Sequence, residues 1–262
     1  MSTLYINGIE TVLVFEHLPK RIISLVPSQT ELLCDLGLEG DIVGITKFCV
    51  HPLHLKASKT IVGGTKKVKI EKIKQLQPDI IIANKEENTL EIVLALSSIC
   101  PVLVTDIATI EANLQMIADF GQLFQKQAEA QKWITKINVA YGDFQEFIKE
   151  KPLRKSAYFI WANPYMVVGN GTFINELLTL NRFENCFENK GRYPEIQLEE
   201  LLEQPQLNLI LLSSEPYPFK EEDALEIKKF TNSAQLIFVD GEFFSWYGSR
   251  ILSAFEYFKT LH

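Results

Sequence analysis

The stretch IEKIKQLQPDIII at residues 70–82 decides the fold. IEKIKQL reads as a helix, QP breaks it, and DIII reads as the start of a strand buried on both faces. Strand and helix in alternation make a parallel sheet covered by helices. The same order returns at LEELLEQPQLNLILL (198–212), where Glu199 follows Glu71 at an offset of 128. ELLCDLGL (31–38) is matched by ELLTLNRF (176–183) at an offset of 145, and the strand ending at Asp106 by the one ending at Asp240 at 134. The order is preserved, so the chain reads as two copies of one unit. The fall from 145 to 128 gives the first copy 17 extra residues, in the TKFCVHPLHLKASKTIVGGTKK region.

Working outward, RIISLV (21–26), DIVGI (41–45), DIIIA (79–83) and PVLVTD (101–106) read as buried strands in the first copy. TELLCDLG (30–37) and NTLEIVLALSSI (88–99) read as helices. In the second copy SAYFIWA, LNLILLS and AQLIFVD read as strands; FINELLTL, LEELLEQ and a tail after Tyr247 read as helices. Between the copies no proline occurs from Pro101 to Pro152, and residues 127–150 carry Ala130, Trp133, Ile134, Ile137, Ala140, Tyr141, Phe144, Phe147 and Ile148 on one helix face. The expected architecture is α/β: two Rossmann-like lobes with central parallel sheets, joined by one long rigid helix, with a ligand cleft between the lobes. The boundaries are 1–108 for the first lobe, 109–152 for the helical connection and 153–262 for the second lobe.

With ~150 residues per domain as a soft prior, 262 residues suit one large domain or two small ones. Hydrophobic residues at 47% and charged residues at 23% exclude a disordered chain. A net charge of -7 argues against a nucleic-acid partner, which needs clustered excess cation. Cys34, Cys49, Cys100 and Cys186 form no CxxC pair and read as free thiols. MSTLYINGIETVLVFEHLPKR shows no basic n-region and no apolar run of signal-peptide length, and no run nears the ~18 residues of a membrane span. The expectation is a cytoplasmic chain, or a periplasmic one if a signal was trimmed.

Ligands in open parallel sheets sit beyond the carboxyl ends of the strands, which makes the residues there the candidates. After the first strand, Ser28 and Glu31 have the spacing of a capping box, at a helix start open to an anionic group. After the second, Cys49 and His51 stand two apart as weak metal candidates. They need a further ligand, with His54 in reach, and cleft lining and a plain turn are the other readings. GGTKK (63–67) lacks the phosphate-loop spacing; Gly64 and Thr65 read as a turn that brings backbone near a ligand, or as a turn without function. In the second copy Trp161, Asn163 and Tyr165, then Arg192 and Tyr193, then Trp246, Tyr247 and Arg250 lie beside Pro, Gly and Asn in loops. Aromatic walls with a few polar groups suit a large, flat, partly apolar small molecule. Glu71 and Glu199 read either as first-turn acids that complement a helix dipole or as one exposed anchor per lobe for a partner with arginine pockets.

RIISLVPSQTELLCDLGL, VGITKFCVHP, VGGTKKVKIEKIKQLQPDIIIANKEEN and RYPEIQLEELLEQPQLNLILLSSEPYPF together resemble the helical-backbone metal receptor group. These are the class III substrate-binding proteins of ABC importers for cobalamin, haem and ferric siderophores. The resemblance runs from about residue 20 to the C-terminus and implies a monomeric, non-catalytic binder that needs no cofactor. It further implies that Glu71 and Glu199 dock on arginines of a permease dimer, and that the loops of His51, Trp161, Tyr193 and Trp246 contact the ligand. His51 stands near where cobalamin binders tend to have tyrosine, and a neutral imidazole there would be able to ligate cobalt or iron. Two alternatives stay beside this reading: a cytosolic ligand sensor without a permease, and a chelatase-like tetrapyrrole enzyme. The chain has no G-x-S-x-G, H-E-x-x-H or Walker A motif to support catalysis.

Overall fold

Each apolar run bounded by turn residues becomes a strand. The computed structural model describes residues 2–4, 13–15, 17–231 and 233–262. Much of the N-terminal stretch read for an export signal lies outside those residues. By its own contacts the chain divides into two α/β units, Met1–Ile107 with Glu111–Val139 and Trp246–Ile251, and Ala108–Ile110 with Ala140–Ser245 and Leu252–His262.

In the first unit β1 (Ser2–Leu4) and β2 (Leu13–Phe15) pair antiparallel. There follow β3 (Ile22–Ser24), α1 (Pro27–Asp35), β4 (Ile42–Ile45), α2 (Leu55–Ser58), β5 (Thr60–Ile61), α3 (Ile70–Gln75), β6 (Ile80–Asn84), α4 (Leu90–Ser97), β7 (Val102–Thr105) and α5 (Ile110–Leu123). The main sheet has the order β5-β4-β3-β6-β7 and every pairing in it is parallel. All five residues of β6 are buried, as the run DIII requires of a strand covered on both faces. Ile23, Leu25, Ile73, Ile81, Ala83 and Leu96 form the core on one side of this sheet. Each fully buried aliphatic side chain there contributes about 1.5–3 kcal/mol relative to exposure.

α6 (Gln127–Ile148) is one helix of 22 residues. Three residues separate it from α5, because Gln125 takes the left-handed conformation (φ 55°) and the Lys126 N–H bonds back to the Gly121 carbonyl at 2.7 Å, closing α5. Ala130, Ile137, Phe144 and Ile148 are its buried face. Residues up to Val139 cluster with the first unit and those from Ala140 with the second.

The second unit holds β8 (Arg154–Trp161), β9 (Met166–Val167), α7 (Phe173–Leu180), β10 (Phe183–Asn185), β11 (Leu209–Ser213), α8 (Glu221–Lys228), β12 (Gln235–Val239), α9 (Gly241–Ser245) and α10 (Ile251–Lys259). Its sheet runs β10-β8-β11-β12, all parallel, with β9 antiparallel on β8. Both sheets share one strand order, and the added residues of the first copy supply α2 and the edge strand β5. Thr172 caps α7, its hydroxyl accepting from the Asn175 N–H at 3.1 Å. The expected helix over LEELLEQ is a 3₁₀ turn at Leu198–Leu201 instead; a single such turn already buries both leucines. The segment Trp246–Ile251, expected inside the C-terminal lobe, clusters with the first unit.

One element of the second unit makes stability depend on pH. The His262 ring stacks on Phe183 with centroids 5.0 Å apart. Burial first, then the charges of Lys151 and Arg154, push its pKa down to about 4 from 6.5. Between those values the unfolded chain binds a proton that the folded chain refuses, so stability falls as pH drops from 6.5 towards 4 and levels off below. The urea midpoint of the second unit will decline across that window, and His262→Phe will flatten that part of the decline. An unchanged slope in the variant would exclude His262 as its source.

Candidate ligand-binding site

At the carboxyl edge of the first sheet, the end of β6 is tied down by Asn84. Its side-chain amide donates to the Thr105 carbonyl at 2.9 Å, and its side-chain oxygen accepts from the Glu86 N–H at 2.8 Å. Asn88 donates to the Thr65 carbonyl at 2.9 Å, and Lys66 to the Glu86 carbonyl, so the loops after β5 and β6 are joined. Gly63 has φ 131°, and a Cβ on it would lie 2.5 Å from the Lys67 carbonyl oxygen, which is why this turn needs glycine. Gly64 is half-buried beside Phe48 and Thr65 is buried. After β4, Phe48 is 47% exposed, with the Lys47 ammonium 4.8 Å from its ring centroid. His51 is half-buried, edge-on to Trp246 with centroids 5.4 Å apart.

Several sequence candidates in this unit are packing groups. Cys49 is fully buried, its sulfur 3.1 Å from the Thr30 hydroxyl and 3.2 Å from that of Thr46, and burial raises its pKa. It is therefore a neutral thiol inside the core, and metal ligation by Cys49 is withdrawn. His54 is exposed and lies 2.8 Å from Glu39. Among the described residues no group of three His, Cys, Asp or Glu gathers to hold a metal ion. Ser28 does not cap α1: the helix begins at Pro27 after Val26, with no side-chain cap. Glu31, the other half of the expected capping box, instead takes the Arg250 guanidinium, with Nε at 2.7 Å and Nη2 at 2.8 Å.

Trp246, Tyr247 and Arg250 likewise leave the set of open aromatic walls. Tyr247 is 4% exposed and its hydroxyl accepts from Gln29 at 3.1 Å; burial holds its pKa well above the usual phenol value. Trp246 is 6% exposed under the Arg250 guanidinium, 5.0 Å from the ring centroid. The Gly248 N–H donates to Asn113 at 2.6 Å and Ser249 binds Asp35, so the whole segment is pinned to α1 and α5.

In the second unit Trp161, the last residue of β8, is 39% exposed. Its ring lies 5.7 Å from that of Tyr217 at an interplanar angle of 60°. Asn163 is exposed with φ 61°, a conformation that asparagine tolerates. Tyr193 is half-buried on a segment laid along β9, where the Val167 N–H donates to the Pro194 carbonyl at 3.1 Å and that of Gly169 to the Arg192 carbonyl at 2.8 Å. A Cβ on Gly169 would come within 2.0 Å of the Gly191 carbonyl oxygen, so glycine is required for that approach. The structure thus brings Trp161 together with Tyr217, which the sequence reading passed over. The rule that singled out Trp161, an aromatic at a strand's carboxyl end in a stretch with Pro, Gly or Asn, also picks out Tyr217 in SSEPYPF.

Glu71 lies in the first turn of α3, exposed, and pairs with Lys74 at 2.8 Å. Glu199 is exposed in the 3₁₀ turn. Its neighbour Glu200 is held by Lys190 and by the Gln197 N–H at 2.9 Å, which separates two glutamates that the sequence left ambiguous.

Comparison with known proteins adds a family. The family described as periplasmic binding protein matches residues 22–234. An uncharacterized ABC transporter substrate-binding lipoprotein of Bacillus subtilis is 27% identical over 178 residues, 64% of this chain and 55% of that protein. The matched region is thus about half of that relative's length. A vitamin B12-binding protein of Vibrio campbellii is 24% identical over 185 residues, 70% of this chain and 67% of that one. The apo periplasmic haem-binding protein of Roseiflexus sp. RS-1 superimposes with a TM-score of 0.80 at 14% identity, covering 92% of this chain and 97% of that one.

Proposed function

Because the chain belongs to the periplasmic binding protein family, we propose that it is the substrate-binding component of an ABC-type importer for a metal chelate, a cobalamin, a haem or a ferric siderophore, which it holds without chemical change. The observation that carries this reading is the family match over residues 22–234. Names of similar proteins supply the ligand classes, vitamin B12 in Vibrio campbellii and haem in Roseiflexus. The exposed Trp161 and the half-buried Tyr217 beside it offer apolar contact area for such a ligand. Burial of that area at roughly 25 cal/mol per Å² is the driving term, less the cost of association.

Thermal unfolding with cyanocobalamin, haemin and ferrichrome tests the reading. A bound chelate at a hundred times its Kd stabilises the protein by about 2.7 kcal/mol. If none of the three raises the midpoint and none binds at equilibrium, the reading is wrong. In the importer role Glu71 and Glu199 are the exposed acids, one in each unit, that dock on arginines of the permease. Glu71→Arg and Glu199→Arg will weaken capture of the permease and leave chelate affinity unchanged; Glu200→Gln will have the smaller effect on docking. Equal permease binding by all the variants would remove the assignment.

A further inference from the structure

We propose that the chain forms a two-fold dimer in which β12 of one copy pairs antiparallel with β12 of a second copy, while α8 packs on its symmetry mate. This goes beyond the importer reading and departs from the monomer that the resemblance implies. β12 (Gln235–Val239) is an edge of its sheet. The Gln235 N–H donates to the Asn208 carbonyl at 2.9 Å, and the Val239 carbonyl accepts from the Ser214 N–H at 3.0 Å. In a parallel ladder alternate residues bond to the same neighbour, so Leu236 and Phe238 point their N–H and C=O groups away from β11. Among the described residues no strand takes them up. The other edges of the two main sheets are guarded. β5 has two residues, β10 carries Glu184 in a run of three, and β7 follows Pro101 with three of its four residues buried. β12 has five residues without Pro, Gly or charge, and Phe238 is 46% exposed. Such an edge is a template for another strand.

The features around this edge select a second copy as its occupant. Centred on Ile237, a two-fold sets Leu236 opposite Phe238 of the second copy. Those two residues exchange both backbone bonds, as do their symmetry mates, and no charged side chain enters the strand pair. α8 joins β11 to β12 and covers them, since Ala224 and Ile227 share a core with Ile210, Leu212 and Leu236. With strands about 4.8 Å apart, a helix over this pair comes about 9.6 Å from its mate over the joined sheet, within the ~8–10 Å of packed helices. One flank of α8 is already engaged: Asp223 accepts from the Tyr217 hydroxyl, and Tyr217 leans on Trp161 at the end of β8. At ~100° per residue, Glu221, Leu225 and Lys228 share the opposite flank, on the side of the β12 edge. All three are exposed, Leu225 by 65%. The two-fold runs the helices antiparallel, so Glu221 of each copy meets Lys228 of the other on either side of a Leu225–Leu225 contact.

Sedimentation of the full chain over about 1–100 µM tests this. The expected result is a shift from monomer to dimer and nothing larger, because a two-fold pairing is closed. Phe238→Lys, which puts a charge on the edge, abolishes the dimer in that range. Glu221→Lys and Lys228→Glu each weaken it about tenfold, and the two together recover it. Both of these positions are exposed, so the far-ultraviolet circular dichroism of these variants stays that of the wild type. A monomer throughout, a dimer that tolerates Phe238→Lys, or no recovery in the double variant overturns the proposal. The first of these is also the outcome if the edge takes an extended peptide from another protein.

Discussion

Arg250→Met will destabilise the first unit by about 3 kcal/mol, the lower end of the range for breaking a buried ion pair. The guanidinium grips Glu31 with two bonds at 2.7 and 2.8 Å, and the paired side chains are only 12% and 18% exposed. Methionine fills much of the arginine volume and leaves the Glu31 carboxylate half-desolvated without its fork. Trp246 also loses the cation above its ring. The double variant Glu31→Leu/Arg250→Met will recover most of the loss, because an apolar pair of similar size removes the stranded charge. Urea unfolding in a Trp161→Phe background, read by fluorescence of Trp133 and Trp246, follows the first unit. A loss under 1 kcal/mol, or no recovery in the double variant, would mean that the pair does not hold the segment Trp246–Ile251 in place.

Phe144→Ala will cost the second unit about 3–5 kcal/mol, the range for truncating a buried phenylalanine. Phe144 is fully buried on α6, stacked on Phe255 with centroids 5.8 Å apart and tilted against Phe258 at 6.0 Å. Alanine leaves a cavity walled by rigid rings that collapse poorly. Phe144→Leu, which keeps most of the volume, will cost about 1–1.5 kcal/mol. The difference in urea midpoint between the two variants measures the cavity contribution. If the two variants are equally stable, α10 does not pack on this face of α6 as described.

Much of this was legible in the chain. DIIIA, PVLVTD and LNLILLS named their strands because an uninterrupted apolar run bounded by turn residues has no stable place outside a covered sheet. The α6 face was legible because Ala130, Ile137, Phe144 and Ile148 recur at helical spacing. LEELLEQ misled because its pattern fits a helix as well as the single 3₁₀ turn that forms. The short strands β5, β9 and β10 escaped notice, since two or three residues carry no period.

The candidate site divides along the same line. Trp161 stays exposed, while Cys49, Trp246 and Tyr247, chosen by the same loop rule, are buried. What separates them is contact with residues remote in the chain: Arg250 meets Glu31 across 219 positions, Tyr247 meets Gln29 across 218, and Asn113 meets Gly248 across 135. By itself the sequence determined two α/β units with parallel sheets and a long helix running from one to the other, because strand and helix patterns are local and their apolar faces must be covered. Only the tertiary structure decided which loop aromatics pack and which stay open, because burial of a loop side chain is settled by partners that no local pattern names.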